Sequence, residues 1–217
     1  FNALAAIHSD VGDLKRAPWA KLGVDTTQLI LGNGSHELLM QFAQVFAGPR
    51  REVVASQFGF AVHALAARAA GAPLRVAPTF ARDAAMTRGR DLDAIAGAVS
   101  PETALVYLAN PNNPTGTWFG ADAFATFMAR VPENVLVVVD EAYAEFADAP
   151  EYASALALQS RYPNLVVTRT FSKAHTLTGL RIGHAVAHPD CIAVLERVRE
   201  SFNVNASGLA AAEAALG

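Results

Sequence analysis

Two side chains, Asp140 and Lys173, set the chemistry that this sequence could support. Asp140 follows five apolar residues, Val135 to Val139. A carboxylate so close to a buried strand needs a cation or strong donors, because an unpaired buried charge is costly. Lys173 stands in Thr170-Phe171-Ser172-Lys173, after another apolar run and eight positions before Arg181. A lysine beside a second cation in an apolar pocket is the kind of amine that forms a Schiff base. Taken singly, each residue also has an ordinary reading. Asp140 could cap a helix or bind a metal, and Lys173 could be a solvated surface charge.

The surrounding residue types narrow those choices. Four more polar segments follow candidate strands: Gly32-Asn33-Gly34-Ser35-His36-Glu37, Gln57-Phe58, Asn110-Pro111-Asn112-Asn113-Pro114-Thr115-Gly116, and Glu141-Ala142-Tyr143 directly behind Asp140. They offer amides, hydroxyls and amines where a metal would want a second carboxylate or paired histidines, so metal binding is disfavoured. The Gly34-Ser35 step suits an anion at a helix N-terminus, although a glycine turn with Ser35 as N-cap fits equally. It is neither a P-loop nor a dinucleotide fingerprint, since no Gly-Lys-Ser/Thr follows and the third glycine is missing. Asp140 and Lys173 at neighbouring strand ends match a pyridoxal phosphate site, in which a lysine Schiff base is paired with an acid for the pyridinium nitrogen.

These loops need a scaffold that gathers them. The chain has 217 residues, 52% apolar and 17% charged, which is enough for a substantial core and too apolar for a disordered segment. Short apolar runs predict strands at 28–31, 53–55, 74–77, 104–109, 135–139, 165–168 and 182–187. Helical patterns lie at 35–46, 58–70, 92–99, 121–129, 153–161, from Asp190 to about Phe202, and from about Ala206 to the end. This alternation predicts one α/β domain with a mostly parallel seven-stranded sheet and helices on both faces. Ligands of such sheets sit beyond the carboxyl ends of the strands, where all five polar loops fall. The link from Lys173 to Ile182 is too short for a helical crossover, which predicts an antiparallel last strand.

Three motifs with fixed order and spacing carry a resemblance: Asn-Pro-Asn-Asn-Pro-Thr-Gly (110–116), Val-Asp-Glu-Ala-Tyr (139–143), and Thr-Phe-Ser-Lys-Ala (170–174) with Gly-Leu-Arg-Ile-Gly (179–183). The chain resembles the class I/II pyridoxal-phosphate aminotransferases of fold type I, most of all the histidinol-phosphate aminotransferases, from about Asp13 onward. The resemblance implies a cytoplasmic, homodimeric enzyme of histidine biosynthesis. It would exchange an amino group between a small-molecule donor, L-histidinol phosphate, and 2-oxoglutarate. Residues 1–217 would be its cofactor-binding large domain, without the family's N-terminal arm and C-terminal small domain. Turnover by this chain alone is therefore not expected.

Carried over residue by residue, the resemblance makes Lys173 the Schiff-base lysine and the general base and acid. Asp140 would hold the ring nitrogen protonated, and Asn113 and Tyr143 would bind the phenolic oxygen. Phe58 would stack on the ring where the family usually has Tyr. Ser35, His36, Thr170, Ser172 and Arg181 would bind the phosphate. His36 and Glu37 depart from the small or acidic pair common in that loop, which leaves backbone N–H contacts intact.

Other features point away from rival functions. Seventeen basic residues against 20 acidic ones give a net charge of −3, no electrostatic reason to expect nucleic acid or an anionic membrane. No apolar run reaches the ~18 residues of a membrane span, and the N-terminal residues lack the features of a signal peptide. The single cysteine, Cys191, rules out an internal disulfide and fits a reducing cytosol. Cys191, Trp19, Trp118 and the scattered His8, His63, His175, His184 and His188 read as surface or packing residues. Two alternatives remain: another pyridoxal-phosphate reaction, such as decarboxylation of a phosphorylated amino acid, and a non-catalytic fragment.

Overall fold

In the computed structural model, residues 23–81, 86 and 88–216 are described; His8 and Trp19 lie outside them. The elements are β1 (Leu29–Asn33), α1 (Gly34–Phe46), β2 (Glu52–Ser56), α2 (Ala61–Ala69), β3 (Leu74–Ala77), α3 (Leu92–Ala98), β4 (Thr103–Ala109), α4 (Ala121–Met128), β5 (Leu136–Asp140), β6 (Leu165–Thr170), β7 (Ile182–Val186), α5 (Pro189–Glu196) and α6 (Ala206–Leu216). The seven strands form one sheet in the order β1-β7-β6-β5-β4-β2-β3. Pairing is parallel from β3 through β6, whereas β7 runs antiparallel to both β6 and β1.

Successive strand residues point to opposite faces, and in the central strands both faces are buried, whereas the edge strand β3 exposes Arg75 and Val76. Val53, Ala55, Leu105, Tyr107, Val138 and Val166 pack with Leu38, Leu39 and Phe42 of α1 and Ala66 of α2. Their neighbours Val54, Val106, Leu108, Val137, Val139 and Val167 pack with Ile95 of α3 and Phe124, Phe127 and Met128 of α4. The result is the expected three-layer α/β architecture, with each apolar run read out alternately into two cores.

Three helical expectations change. The pattern at 153–161 yields only a 3-10 turn, Ala155–Leu158, because buried Glu141 accepts from the Ala155 N–H and Ser154 Oγ–H and ties that stretch to β5. α2 begins at Ala61 and not at residue 58, since Phe58 sits in the left-handed region (φ 53°) and Phe60 is extended. α5 stops at Glu196, well short of Phe202, itself left-handed at φ 59°.

Candidate active site

The carboxyl ends of β1, β4, β5 and β6 open onto one cavity of about 220 Å³. It is lined by Ser35, His36, Phe60, Pro111, Asn113, Asp140, Tyr143, Thr170, Ser172, Lys173, Thr178 and Arg181, among others. A wider cleft of about 470 Å³ adjoins it, sharing Pro111, Asn113 and Tyr143. Nine of the ten expected site residues thus meet. The reversed strand β7 explains Arg181: a strand entering the sheet in the opposite sense begins at the rim where its neighbours end.

Asp140 closes β5 and is only 4% exposed. The Ala142 N–H (3.2 Å) and Thr168 Oγ1–H (3.3 Å) both donate to Oδ1. Burial dominates its titration and pushes the carboxyl up to about 6, against the pull of these two donors; Glu141 adds to the rise and Lys173 opposes it. A carboxylate in this position is short of positive charge, and a protonated ring nitrogen would supply it. Across the cavity's lining, the Lys173 ammonium lies 5.3 Å from the centroid of the Tyr143 ring.

A second corner is built for an anion. Gly34 opens α1 with φ +75°, and a Cβ there would land on the Arg181 guanidinium, so only glycine lets the arginine lie against the helix start. Gly183 serves the same closeness from β7, because its Cβ would strike the Ser35 backbone nitrogen. Arg181 Nη1 donates to Ser172 Oγ (3.0 Å) and to the Thr178 carbonyl (3.1 Å), and the Ser172 N–H donates to Thr170 Oγ1 (3.2 Å). Hydroxyls, a guanidinium and a helix N-terminus without a side-chain cap converge there, the donor set a phosphate monoester takes.

Phe58 is the expected residue that does not line the cavity. Its side chain is 45% exposed and its ring faces the Arg88 guanidinium at 5.1 Å; Phe60 occupies the wall instead. The left-handed backbone at Phe58 redirects the chain between the two, and nothing in the local sequence forecasts that turn. Glu141 is visible in the sequence only as part of its polar segment, and Arg169 not at all. Glu141 is fully buried, and Arg169 donates to its Oε2 from Nη2 at 2.8 Å, bracing the loop between Asp140 and Tyr143. Alternation along β6 puts Arg169 on the face opposite Thr168 and Thr170, where it meets Glu141.

The chain matches the description "Aminotransferase class I and II" over residues 7–217. It belongs to the class I and II aminotransferase family. Among curated members it is 50% identical over 203 residues to histidinol-phosphate aminotransferase 2 of Ralstonia nicotianae, covering 94% of this chain and 53% of that protein. It is 49% identical to histidinol-phosphate aminotransferase 1 of Nitrosococcus oceani, with the same coverage. The crystal structure of the Sinorhizobium meliloti histidinol-phosphate aminotransferase in complex with pyridoxal-5'-phosphate superposes with a TM-score of 0.85 at 34% identity. That match covers 94% of this chain and 54% of the other. The chain therefore spans about half the length of the aminotransferases it matches. Among the described residues, no helix is long and apolar enough to cross a membrane, and no group of three or more His, Cys, Asp or Glu could hold a metal ion.

Proposed function

We propose that this chain is the cofactor-binding part of a pyridoxal-phosphate aminotransferase that takes an amino group from L-histidinol phosphate and passes it to 2-oxoglutarate. The observation that carries the reading is the shared cavity: a buried carboxyl, a lysine and an anion-binding corner at one rim, in a family member about half identical to histidinol-phosphate aminotransferases. Bound pyridoxal phosphate would supply an aldehyde for the amino group and a protonated ring that accepts electrons released at the donor's Cα.

The protein's own groups do the rest. Arg181, Ser172, Thr170, Ser35 and the N–H groups at the start of α1, with His36 beside them, hold the phosphate. Together they would anchor the cofactor by its phosphate independently of Lys173. Asp140, as an anion, keeps a proton on the ring nitrogen. Asn113 and Tyr143 hydrogen-bond the phenolic oxygen. The Lys173 amine would carry a proton between the donor's Cα and the cofactor's C4′. Residues 1–217 are read as one large domain of a cytoplasmic homodimer that acts on small molecules.

A second reading keeps the cofactor and changes the bond broken. The L-threonine-O-3-phosphate decarboxylase of Porphyromonas gingivalis superposes with a TM-score of 0.79 at 26% identity over 95% of this chain. Product analysis with the full-length protein separates the two: glutamate from 2-oxoglutarate marks transamination, and carbon dioxide marks decarboxylation. For the cavity itself, the 217-residue chain mixed with pyridoxal phosphate should turn yellow. Borohydride should bleach it and fix the label on the peptide containing Lys173. A wild-type chain labelled no more than Lys173→Ala would overturn the reading and favour a non-catalytic fragment.

A further inference from the structure

Arg90 is 3% exposed, yet it forms no ion pair with a carboxylate among the described residues. Its guanidinium is committed to neutral partners. Nη1 donates to the Gln57 carbonyl (2.9 Å) and to Ser56 Oγ (3.0 Å), and Nη2 donates to the Phe58 carbonyl (3.2 Å). Asn112, also buried, donates Nδ2 to the same Phe58 carbonyl at 3.0 Å from the loop after β4. Burial pulls the Arg90 guanidinium down to about 10. A buried cation with no carboxylate partner among the described residues is expensive to keep. The segment it holds is unusual as well: Phe58 has φ 53°, a region that bulky side chains avoid. Two residues on, Phe60 forms cavity wall, and Asn112 precedes Asn113, which forms another part.

We infer that Arg90 and Asn112 are positioning residues that clamp the Phe58 carbonyl, and so hold the Phe58–Phe60 segment in fixed register with the Asn113 loop across the cofactor cavity. Two donors from different elements on one oxygen keep the left-handed turn closed. With either removed, Phe58 relaxes toward negative φ and Phe60 leaves the wall. The inference rests on the cavity being a pyridoxal phosphate site.

The test uses the 217-residue chain as wild type, Arg90→Met, Arg90→Lys, Asn112→Ala and Arg90→Met/Asn112→Ala. Without cofactor, amide exchange at Gly59, whose N–H donates to the Ser56 carbonyl at 3.1 Å, should accelerate about tenfold in every variant. With pyridoxal phosphate, the dissociation constant should rise about tenfold in each single variant. The double variant should be no weaker than the worse single, because both groups act on one carbonyl. Arg90→Lys keeps the charge and loses the fork, so it should resemble Arg90→Met; retention of wild-type affinity there would show that charge and not placement matters, and would overturn the clamp. Unchanged exchange at Gly59, unchanged affinity despite faster exchange, or fully additive losses would also overturn it. If the arginine variants do not fold by circular dichroism, Asn112→Ala decides through the same two measurements. A wild-type chain that takes up no pyridoxal phosphate would sink the site reading, while exchange at Gly59 would still decide the clamp.

Discussion

Asp140→Asn isolates the electrostatic load that the cavity places on this fold. The carboxyl moves from 3.8 to about 6 on folding, chiefly through burial. At about 1.4 kcal/mol for each tenfold change in proton affinity, keeping Asp140 ionised costs the cofactor-free chain roughly 3 kcal/mol at neutral pH. The folded state holds this proton more tightly than the unfolded state does. Asp140 therefore leaves stability intact below about pH 4, erodes it as pH rises from about 4 to 6, and keeps it lowered above that. Asparagine is neutral throughout and retains an oxygen for the Ala142 and Thr168 donors. Urea unfolding without cofactor should then find Asp140→Asn more stable than wild type by roughly 3 kcal/mol at pH 8 and equal to it near pH 3.5. Saturating pyridoxal phosphate should reverse the order, since only the carboxylate gains a cationic partner. A variant less stable than wild type at pH 8, or a gap that does not change with pH, would refute the electrostatic argument.

Arg169→Met strips the cation from fully buried Glu141 and should destabilise the chain by about 3–5 kcal/mol, read by the same denaturant titration. Gly34→Ala forces a Cβ onto the Arg181 guanidinium at a positive φ. Pyridoxal phosphate affinity should fall at least tenfold while the far-UV spectrum is preserved. His63 and His184 are both pushed down to about 3, mainly by burial, so the folded state keeps them neutral. Their contribution is full above about pH 6.5 and is lost as pH falls toward 3, and His63→Phe should flatten the stability–pH slope in that window.

Much of this arrangement is legible in the sequence, because the physics that sets it is local. Val135–Val139 reads as a strand buried on both faces, and it is one from Leu136 to Asp140. The five polar loops follow from strand–helix alternation, since parallel strands end at a common rim. The antiparallel β7 follows from a connection too short to cross over. What stayed hidden depends on partners far along the chain. The helix-like stretch at 153–161 gives way to Glu141, which claims the Ala155 N–H and the Ser154 hydroxyl from the end of β5. Phe58 and Phe60 look interchangeable as aromatic walls until Arg90 and Asn112 hold the turn between them. Cys191 falls early in α5, where a thiol could have been acidified, yet burial pushes it up to about 12.

The sheet's threading has a consequence for the growing polypeptide. Among the described residues β1 borders only β7, with Leu29 opposite Val186, so this strand, apolar from Leu29 to Leu31, emerges from the ribosome roughly 150 residues before its neighbour. For that interval its edge is unpaired and its side chains await a cover, the state in which nascent chains are most prone to stick to one another. The half of the phosphate corner that begins at Gly34 thus exists as sequence long before it exists as a site, and the delay falls on synthesis rather than on the finished protein.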